Sequence, residues 1–329
     1  MYHQLTSQQR SQIFALLQRK TPRKVIASIV GCSESTLSRE IRRNSTDKGN
    51  YLWDKAHAKA MERRKRTTAN RVKDPCIVWE ALNLLTEEDW SPEQISNYMR
   101  KSGKHISHEL IYRHIRADKT GELASHCRHK MKYNRHGRPD RTTKVRNIAN
   151  RVSIHQRPAE ADGTRFGDWE MDTIVGKDGK GAILTLTERS TNIVLMERLP
   201  EGKRPEPLAK VVIRLLFPYR NTVRTITTDN GSEFCAHKLI SKNLAPKDVK
   251  DPNIVFFADS YSSWQKGAIE NANKLIRQYI PKGTDFSTLT DAFIRKIQYK
   301  INRRPRKKLN FESPKTVFFR RITNFALAS

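Results

Sequence analysis

A short β-branched run that ends in an acidic turn constrains this chain more than any other stretch. Residues Val223–Thr228 favour a strand, and the Asp229-Asn230-Gly231 triplet directly after them ends that strand in a turn. Asp and Asn side chains open such turns and Gly accepts a positive φ, so in isolation an ordinary turn explains the pattern. A carboxylate at the end of a buried strand is also well placed to meet a metal ion.

Two further acidic stretches offer partners for that carboxylate. Residues 168–175 predict a strand, and its period of two places three acids, Asp168, Glu170 and Asp172, on one face. Residues 264–280 carry apolar side chains at mostly helical spacing, which places Glu270 in the first turn or two of a helix. Such a set could bind two Mg²⁺ ions, because hard cations prefer oxygen ligands.

The same stretches carry a family resemblance. The segments beginning at Trp169 (WEMDTI), Thr228 (TDNGSEF) and Tyr261 (YSSWQKGAIENAN) resemble the three acidic motifs of bacterial insertion-sequence transposases, and those of the IS30 family most closely. The continuations at residues 277–286 and 302–314 also resemble that family. The similarity is close over roughly residues 157–320 and looser before them.

The resemblance implies a ribonuclease-H-like catalytic domain with a DDE triad. It selects Asp172, Asp229 and Glu270 as catalytic and metal-binding residues, with two Mg²⁺ ions that Mn²⁺ could replace. Glu170 lacks the motif position and is expected to be dispensable. Lys274, one turn beyond Glu270, is a candidate phosphate ligand, although a solvated helix lysine is an equally good interpretation.

The charge balance points to a polyanionic partner. With 63 Lys and Arg against 34 Asp and Glu, the net charge is +29, which favours nucleic acid. Both halves of the chain share the excess, so both are expected to contact DNA.

Residues 1–46 predict a helix-turn-helix domain. Thr6 or Ser7 caps a first helix, Thr21-Pro22 starts a second with Val25, Ile26 and Ile29 facing inward, and Gly31 makes the turn to a third helix capped by Ser33. The third helix presents six polar or basic residues to a major groove: Ser35, Thr36, Ser38, Arg39, Arg42 and Arg43. An ordinary three-helix core with a solvated basic face is the plainer alternative.

The next segments continue this basic character. Residues 47–74 predict a connector whose charge run, Arg63, Arg64, Lys65 and Arg66, either lies along phosphates or forms a solvated helix end. Residues 75–118 predict a second helix-turn-helix-like module with caps at Ser91 and Ser107, although dimerisation is an alternative role. Residues 119–157 predict a basic linker, mobile or ordered only on DNA.

From residue 158 to 329 the pattern becomes mixed α/β. Three strands, a helix, a strand, a helix, a strand and further helices follow one another, and the resemblance interprets this order as the ribonuclease-H-like fold. Residues 239–252, a polar stretch with two prolines, lengthen the interval between Asp229 and Glu270 and are expected to form a surface insertion.

Other features limit the alternatives. Four scattered cysteines indicate reduced thiols in a cytosolic protein, and His126, Cys127 and His129 lie too close in sequence for a convincing zinc site. No signal peptide or membrane-spanning run is evident. We therefore expect a bacterial cytoplasmic, nucleoid-associated protein.

The sequence thus predicts a transposase that binds the terminal inverted repeats of an insertion sequence and cuts and joins DNA strands. Its expected partners are double-stranded DNA, at both the element ends and the target, and further copies of the chain in a dimer or larger assembly. Two alternatives stay open: a helix-turn-helix regulator with a non-catalytic α/β domain, and a metal-dependent nuclease that cuts without joining.

Overall fold

The computed structural model describes residues 4–69, 73–128, 130–131, 148–245, 252–260 and 262–328. The chain divides into two units, Met1–Pro75 and Cys76–Ser329. Across the described residues, no helix is both long and apolar enough to cross a membrane. All four cysteines are free thiols.

The first unit is built from four helices: α1 (Ser7–Gln18), α2 (Arg23–Val30), α3 (Glu34–Asn44) and α4 (Trp53–Ala69). Thr6 caps α1 in a reciprocal capping box with Gln9, and Ser33 caps α3 through the Thr36 backbone N–H. Gly31 ends α2 at a φ of 72°, which makes the tight turn into α3. These predicted caps and the predicted turn are confirmed.

The predicted start of α2 is wrong, and its predicted inner face is wrong at two of three positions. Pro22 is the N-cap, one residue later than expected, and makes no side-chain cap hydrogen bond. Ile26, Ala27 and Val30 join Ile13 and Leu37 in the core, while Val25 and Ile29 are exposed. Ile26 is buried as predicted, and it shares the inner face with Val30, four residues later, rather than with Val25 or Ile29.

The second unit begins with a helical module of α5 (Pro75–Glu88), α6 (Pro92–Lys101), α7 (His108–Ala117) and the short α8 (Glu122–Ser125). Ser91 caps α6 in a capping box with Gln94, and Ser107 caps α7, as predicted. Buried Leu85, Ile95 and Ile111 belong to its core.

The start of the predicted linker is folded rather than extended. The Asp118 carboxylate accepts the Leu123 backbone N–H at 2.9 Å, and Leu123 and Cys127 pack on the core of the helical module. The linker prediction for residues 119–128 is therefore wrong, because apolar side chains within this stretch, Leu123, Ala124 and Cys127, pack on the helical module. Residues 129 and 132–147 lie outside the described part of the chain.

A five-stranded sheet organises the rest of the second unit. Its strands are β1 (Asp168–Val175), β2 (Ala182–Glu188), β3 (Val194–Leu199), β4 (Thr225–Thr228) and β5 (Val255–Phe257). The spatial order is β3-β2-β1-β4-β5, with β1, β2 and β3 antiparallel and β4 and β5 parallel to β1. This order is that of a ribonuclease-H-like fold, so the predicted fold class is confirmed.

Helices cover both faces of the sheet: α9 (Pro205–Leu216), α10 (His237–Leu244), α11 (Gly267–Tyr279), α12 (Asp291–Arg303) and α13 (Pro314–Ala328). Trp169 and Met171 join the core on the side of α9 and α10, whereas Ile174 joins the core on the side of α11 and α12. Alternate residues of β1 therefore face opposite layers, as its period of two predicted.

The predicted surface insertion is partly wrong. Within residues 239–252, the part up to Leu244 belongs to α10, and Ile240, Ser241 and Leu244 are buried. Helical spacing of these apolar side chains packs them on the sheet core. Residues 246–251 lie outside the described chain.

The helical module packs against the sheet domain through Asp89. This buried carboxylate accepts from Lys300 Nζ at 2.6 Å and the Tyr279 hydroxyl at 3.2 Å, and it pairs with His126 at 2.7 Å. Gln94 Nε2 also donates to the Pro305 carbonyl at 2.8 Å. The second helical module and the sheet domain thus form one unit.

Candidate active site

Strand pairing brings Asp172 and Asp229 together. In the parallel β1–β4 register, Asp168 lies opposite Thr225 and Glu170 opposite Thr227. Continuing that register by two residues places Asp172 beside Asp229, which directly follows β4. The Asp229 Oδ1 atom accepts the Gly231 backbone N–H at 3.0 Å, so the turn expected from the sequence is present and holds the carboxylate in place.

The helix α11 supplies the third carboxylate. Glu270 lies in its first turn and forms an ion pair with Lys274, one turn later, at 2.8 Å. Asp172, Asp229 and Glu270 line one cavity of roughly 280 Å³ together with Asp259 and Lys266. Three acids from separate parts of the chain therefore meet, while Lys274 is engaged with one of them.

Lys266 is a site residue that the sequence interpretation missed. Its buried ammonium lies 3.0 Å from Asp229 Oδ2 and 3.8 Å from Asp172 Oδ1. The charge therefore sits between the two carboxylates and offsets their mutual repulsion. Lys266 directly precedes α11 and lies within the motif that begins at Tyr261, four residues before Glu270, and this position could have identified it.

Asp172 is held in a specific orientation. Its Oδ1 accepts the Thr173 backbone N–H at 2.9 Å, and its Oδ2 accepts from Asn273 Nδ2 on α11, also at 2.9 Å. Burial raises the pKa of Asp172, Lys266 opposes that rise, and Asp229 adds to it. A bound cation would therefore stabilise the ionised form of this carboxylate.

The neighbouring acids on β1 are committed to the fold. Asp168 accepts from Arg165 at 2.8 and 3.0 Å and from the Thr225 hydroxyl at 2.7 Å, tying β1 to β4. Glu170 is buried and accepts Arg189 Nε at 2.9 Å and the Ile269 backbone N–H at 2.8 Å. These contacts link β1 to the start of α11, a structural role that the sequence interpretation did not assign to Glu170.

Two other acids are also accounted for. Glu233 accepts from Thr173 Oγ1 at 2.9 Å and from Lys203 Nζ at 2.7 Å, which ties it to β1 and to the segment before α9. Asp259 lines the cavity, but its carboxylate is engaged by Gln265 Nε2 at 2.9 Å and His155 Nε2 at 2.8 Å.

The donor set of the cavity fits a hard divalent cation. Within the described ranges, no three His, Cys, Asp or Glu side chains lie close enough together to hold a metal ion as they stand. The carboxylates nevertheless line one cavity, and the Lys266 ammonium already places a positive charge between two of them. Carboxylate oxygens are the ligands that Mg²⁺ prefers.

The DNA-facing residues predicted on α3 share its outer surface. Ser35, Ser38, Arg39, Arg42 and Arg43 are exposed, and Thr36 is half-buried. Behind them, Arg10 Nε pairs with Glu40 at 2.7 Å, and Tyr51 donates to Glu40 at 3.2 Å. This buried network, which the sequence interpretation did not identify, fixes the orientation of α3.

The predicted charge run lies on α4. Arg63 Nη2 donates to Asn44 Oδ1 at 2.5 Å, at the end of α3, and Arg64 is exposed. The side chains of Lys65 and Arg66 lie outside what the structure describes, as does His129, one of the three residues considered above for zinc. His126 is paired with Asp89 instead.

A helical DNA-binding unit joined to a ribonuclease-H-like domain with converging carboxylates is the architecture of a DNA transposase. A family model described as a helix-turn-helix domain matches residues 1–44. The transposase for insertion sequence element IS4351 of Bacteroides fragilis is 39% identical over 334 residues, covering 100% of this chain and 99% of the relative. Transposase InsI for IS30A of Escherichia coli (strain K12) is 31% identical over 338 residues, covering 97% of this chain and 84% of the relative.

The chain belongs to the IS30 family of insertion-sequence transposases. The catalytic core domain of BIV integrase is a more distant structural neighbour, at 18% identity and a TM-score of 0.37, covering 49% of this chain and 98% of that one. The predicted family is confirmed.

Proposed function

We propose that Asp172, Asp229 and Glu270 form the catalytic triad of a metal-dependent DDE transposase that cuts and joins DNA strands. The observation that supports this most is their convergence on one cavity from β1, the end of β4 and α11. No local sequence pattern requires three distant carboxylates to meet, so a purely structural role explains them poorly.

These three carboxylates are the residues that would hold two Mg²⁺ ions, with Mn²⁺ as a possible substitute. When bound, the ions would activate a water or a terminal 3′-hydroxyl and neutralise charge at the phosphate under attack. The buried backbone of β1 and β4 holds Asp172 and Asp229 at a fixed separation. Asn273 orients Asp172 toward the cavity.

Lys266 and Lys274 provide the cationic side of the same site. Each is paired with a carboxylate of the triad, Lys266 with Asp229 and Lys274 with Glu270. Cations that bind the carboxylates would free both ammonium groups, which could then contact phosphate oxygens of the DNA. Lys266 is more strongly placed for this role because it is buried beside two acids.

DNA recognition is assigned to the first unit. The exposed face of α3 carries Arg39, Arg42 and Arg43, which reach base edges and phosphates of the terminal repeats. The basic run on α4 would add phosphate contacts. Association with the bacterial nucleoid follows from such binding, and pairing of two element ends requires a dimer or larger assembly.

A strand-cleavage and strand-joining assay with the element's own ends tests this function. Wild-type protein with Mg²⁺ should release the ends and join them to target DNA, and Asp229→Asn should do neither. Cutting without joined product would favour a nuclease instead. Binding without cutting, in both proteins, would favour a regulator and overturn the proposal.

A further inference from the structure

A second, larger cavity lies where the helical module meets the segment after α12. Its volume is roughly 730 Å³, and none of the three triad carboxylates lines it. The walls come from α6, α7 and the residues after α8 on one side, and from residues 306–308 on the other. Its cationic lining residues are His108, Arg116, His126, Arg128, Arg306, Lys307 and Lys308.

Two arginines beside this cavity are buried, and neither has a carboxylate partner among the described residues. Arg306 is 7% exposed and Arg304 is 0% exposed. Arg306 donates to the Ile301 carbonyl at 3.2 Å, and Arg304 donates to Gln278 Oε1 at 3.1 Å and the Tyr279 hydroxyl at 2.8 Å. In the described part of the chain, the Nε atom of each has no hydrogen-bond partner.

The acids that line the cavity already have other partners. Asp89 is paired with Lys300 and His126, Glu93 with Lys307 at 3.3 Å, and Glu109 with Arg116 at 2.8 Å. Lys308 donates only to backbone carbonyls, those of Gly163 and Arg189. The described carboxylates therefore leave the buried arginine charges without a counter-ion.

Burial of these two arginine charges costs folding free energy unless an anion binds beside them. A buried charge without a partner loses its hydration, and like charges nearby add repulsion. Burial, reinforced by Arg304 and Arg128, lowers the pKa of Arg306 to about 9. The segment that follows Met131 in the sequence, residues 132–147, contains one acid, Asp140, and six Lys and Arg.

The geometry points to a binding site for a phosphate group of an unpaired DNA strand, held by Arg306 and Arg128. Guanidinium groups suit phosphate because their planar N–H donors match its oxygens. The volume falls within the range of small-molecule sites, about 300–1,000 Å³, so one nucleotide fits and an intact duplex does not. Tyr112 and His108 in the lining offer rings on which a base can stack.

This inference rests on the proposed function, which brings DNA strands with free or displaced ends to the protein. The test compares full-length wild-type protein with Arg306→Gln, Arg306→Lys and Arg128→Gln. Arg113→Gln is the matched control, because it removes the same charge from an exposed arginine of α7 that does not line the cavity. The probes are a blunt duplex of the element end, the same duplex with an unpaired extension, and inorganic phosphate.

Wild-type protein should bind the duplex with the unpaired extension more tightly than the blunt duplex, as measured by fluorescence anisotropy. Arg306→Gln and Arg128→Gln should lose roughly ten-fold affinity for the extended duplex, consistent with loss of one charge-assisted contact, and should bind the blunt duplex as wild type does. Arg306→Lys should retain part of the added affinity, and Arg113→Gln should retain nearly all of it. Phosphate should raise the thermal midpoint of wild type more than that of Arg306→Gln.

Three results would overturn the proposal. One is equal affinity of wild type, Arg306→Gln and Arg128→Gln for the extended duplex. A second is an equal loss in Arg113→Gln, which would indicate a non-specific effect of positive charge. The third is stabilisation by inorganic phosphate with no effect on DNA binding, which would assign a free-phosphate site. If Arg306→Gln does not fold, the comparison of wild type with Arg128→Gln decides the outcome, because Arg128 is exposed. End cleavage by wild type is scored separately, so the proposed function can stand when this inference fails.

Discussion

The Glu170 carboxylate accepts the backbone N–H of Ile269 at 2.8 Å, joining the middle of β1 to the first turn of α11. The helix has no side-chain cap of its own among the described residues, and a buried carboxylate is favourable at a helix N-terminus. Asp172 lies two residues along the strand, and Glu270 follows Ile269 directly. Together with the Asn273–Asp172 hydrogen bond, this contact holds Glu270 in position relative to Asp172.

Replacing Glu170 with Ala should destabilise the second unit and misplace Glu270. The change leaves the Arg189 guanidinium without its carboxylate partner and the first turn of α11 without its hydrogen-bond acceptor. Loss of one partner of a buried ion pair costs about 3–5 kcal/mol of folding stability. The thermal midpoint of the full-length protein should fall together with cleavage. Glu170→Gln keeps a carbonyl acceptor for Ile269 and should fold better and retain more cleavage. If Glu170→Ala is as stable and as active as wild type, the positioning role is wrong.

Replacing Arg39, Arg42 and Arg43 together with Ala should abolish specific binding to the element ends. These residues share the exposed face of α3, and each lost phosphate contact should lower the salt slope by about one. Gel shifts at several salt concentrations measure both effects. The control is Arg19→Ala, an exposed arginine that follows α1. End binding that survives the triple change would refute the assignment to α3.

Asp89→Asn should loosen the contact between the helical module and the sheet domain. Although burial opposes ionisation, the hydrogen bonds from Lys300 and His126 hold the pKa of Asp89 below its usual value. Because the pKa of Asp89 is lower in the folded than in the unfolded protein, the ionised carboxylate stabilises the fold at pH values above the unfolded-state pKa, near 3.8. This stability is lost as the pH falls through the folded-state pKa. The variant should lose about 1–3 kcal/mol near neutral pH and show a weaker acid dependence, measured by denaturant unfolding. An acid profile identical to wild type would contradict this account.

Assembly on paired ends should require more than one chain. Two ends must be cut and joined together, and residues 75–118 are a candidate contact, with Trp79 on α5 68% exposed. Light scattering of the end-bound complex should show at least two chains. Trp79→Ser should shift it toward one chain without changing single-end binding. One chain per active pair of ends would exclude the predicted assembly.

The sequence predicted the elements of the site because each depends on local rules. Caps at Thr6, Ser33, Ser91 and Ser107 and the alternation of β1 follow from hydrogen-bonding and spacing within a few residues. The strand that ends at Asp229 was likewise visible, because β-branched residues meet a turn there.

Long-range packing could not be predicted in this way. The ring centroids of Phe318 on α13 and Trp169 lie 6.0 Å apart, although the two residues are separated by about 150 positions in the sequence. No sequence pattern near either residue predicts this contact. Lys266 and Glu170 became site residues only through partners far along the chain. The same limit explains the error at residues 119–128. Their basic composition predicted a linker, whereas their apolar side chains pack on the helical module.

Cleavage and joining by the three single variants Asp172→Ala, Asp229→Ala and Glu270→Ala test the central claim most directly. Each should lose both reactions in Mg²⁺ and in Mn²⁺ while binding the element ends like wild type, and double variants should be no worse than single ones. Asp259→Asn is the control, because that carboxylate lines the same cavity but is engaged by Gln265 and His155. If Asp259→Asn is inactive while Asp172→Ala still cuts DNA, the proposed triad is wrong.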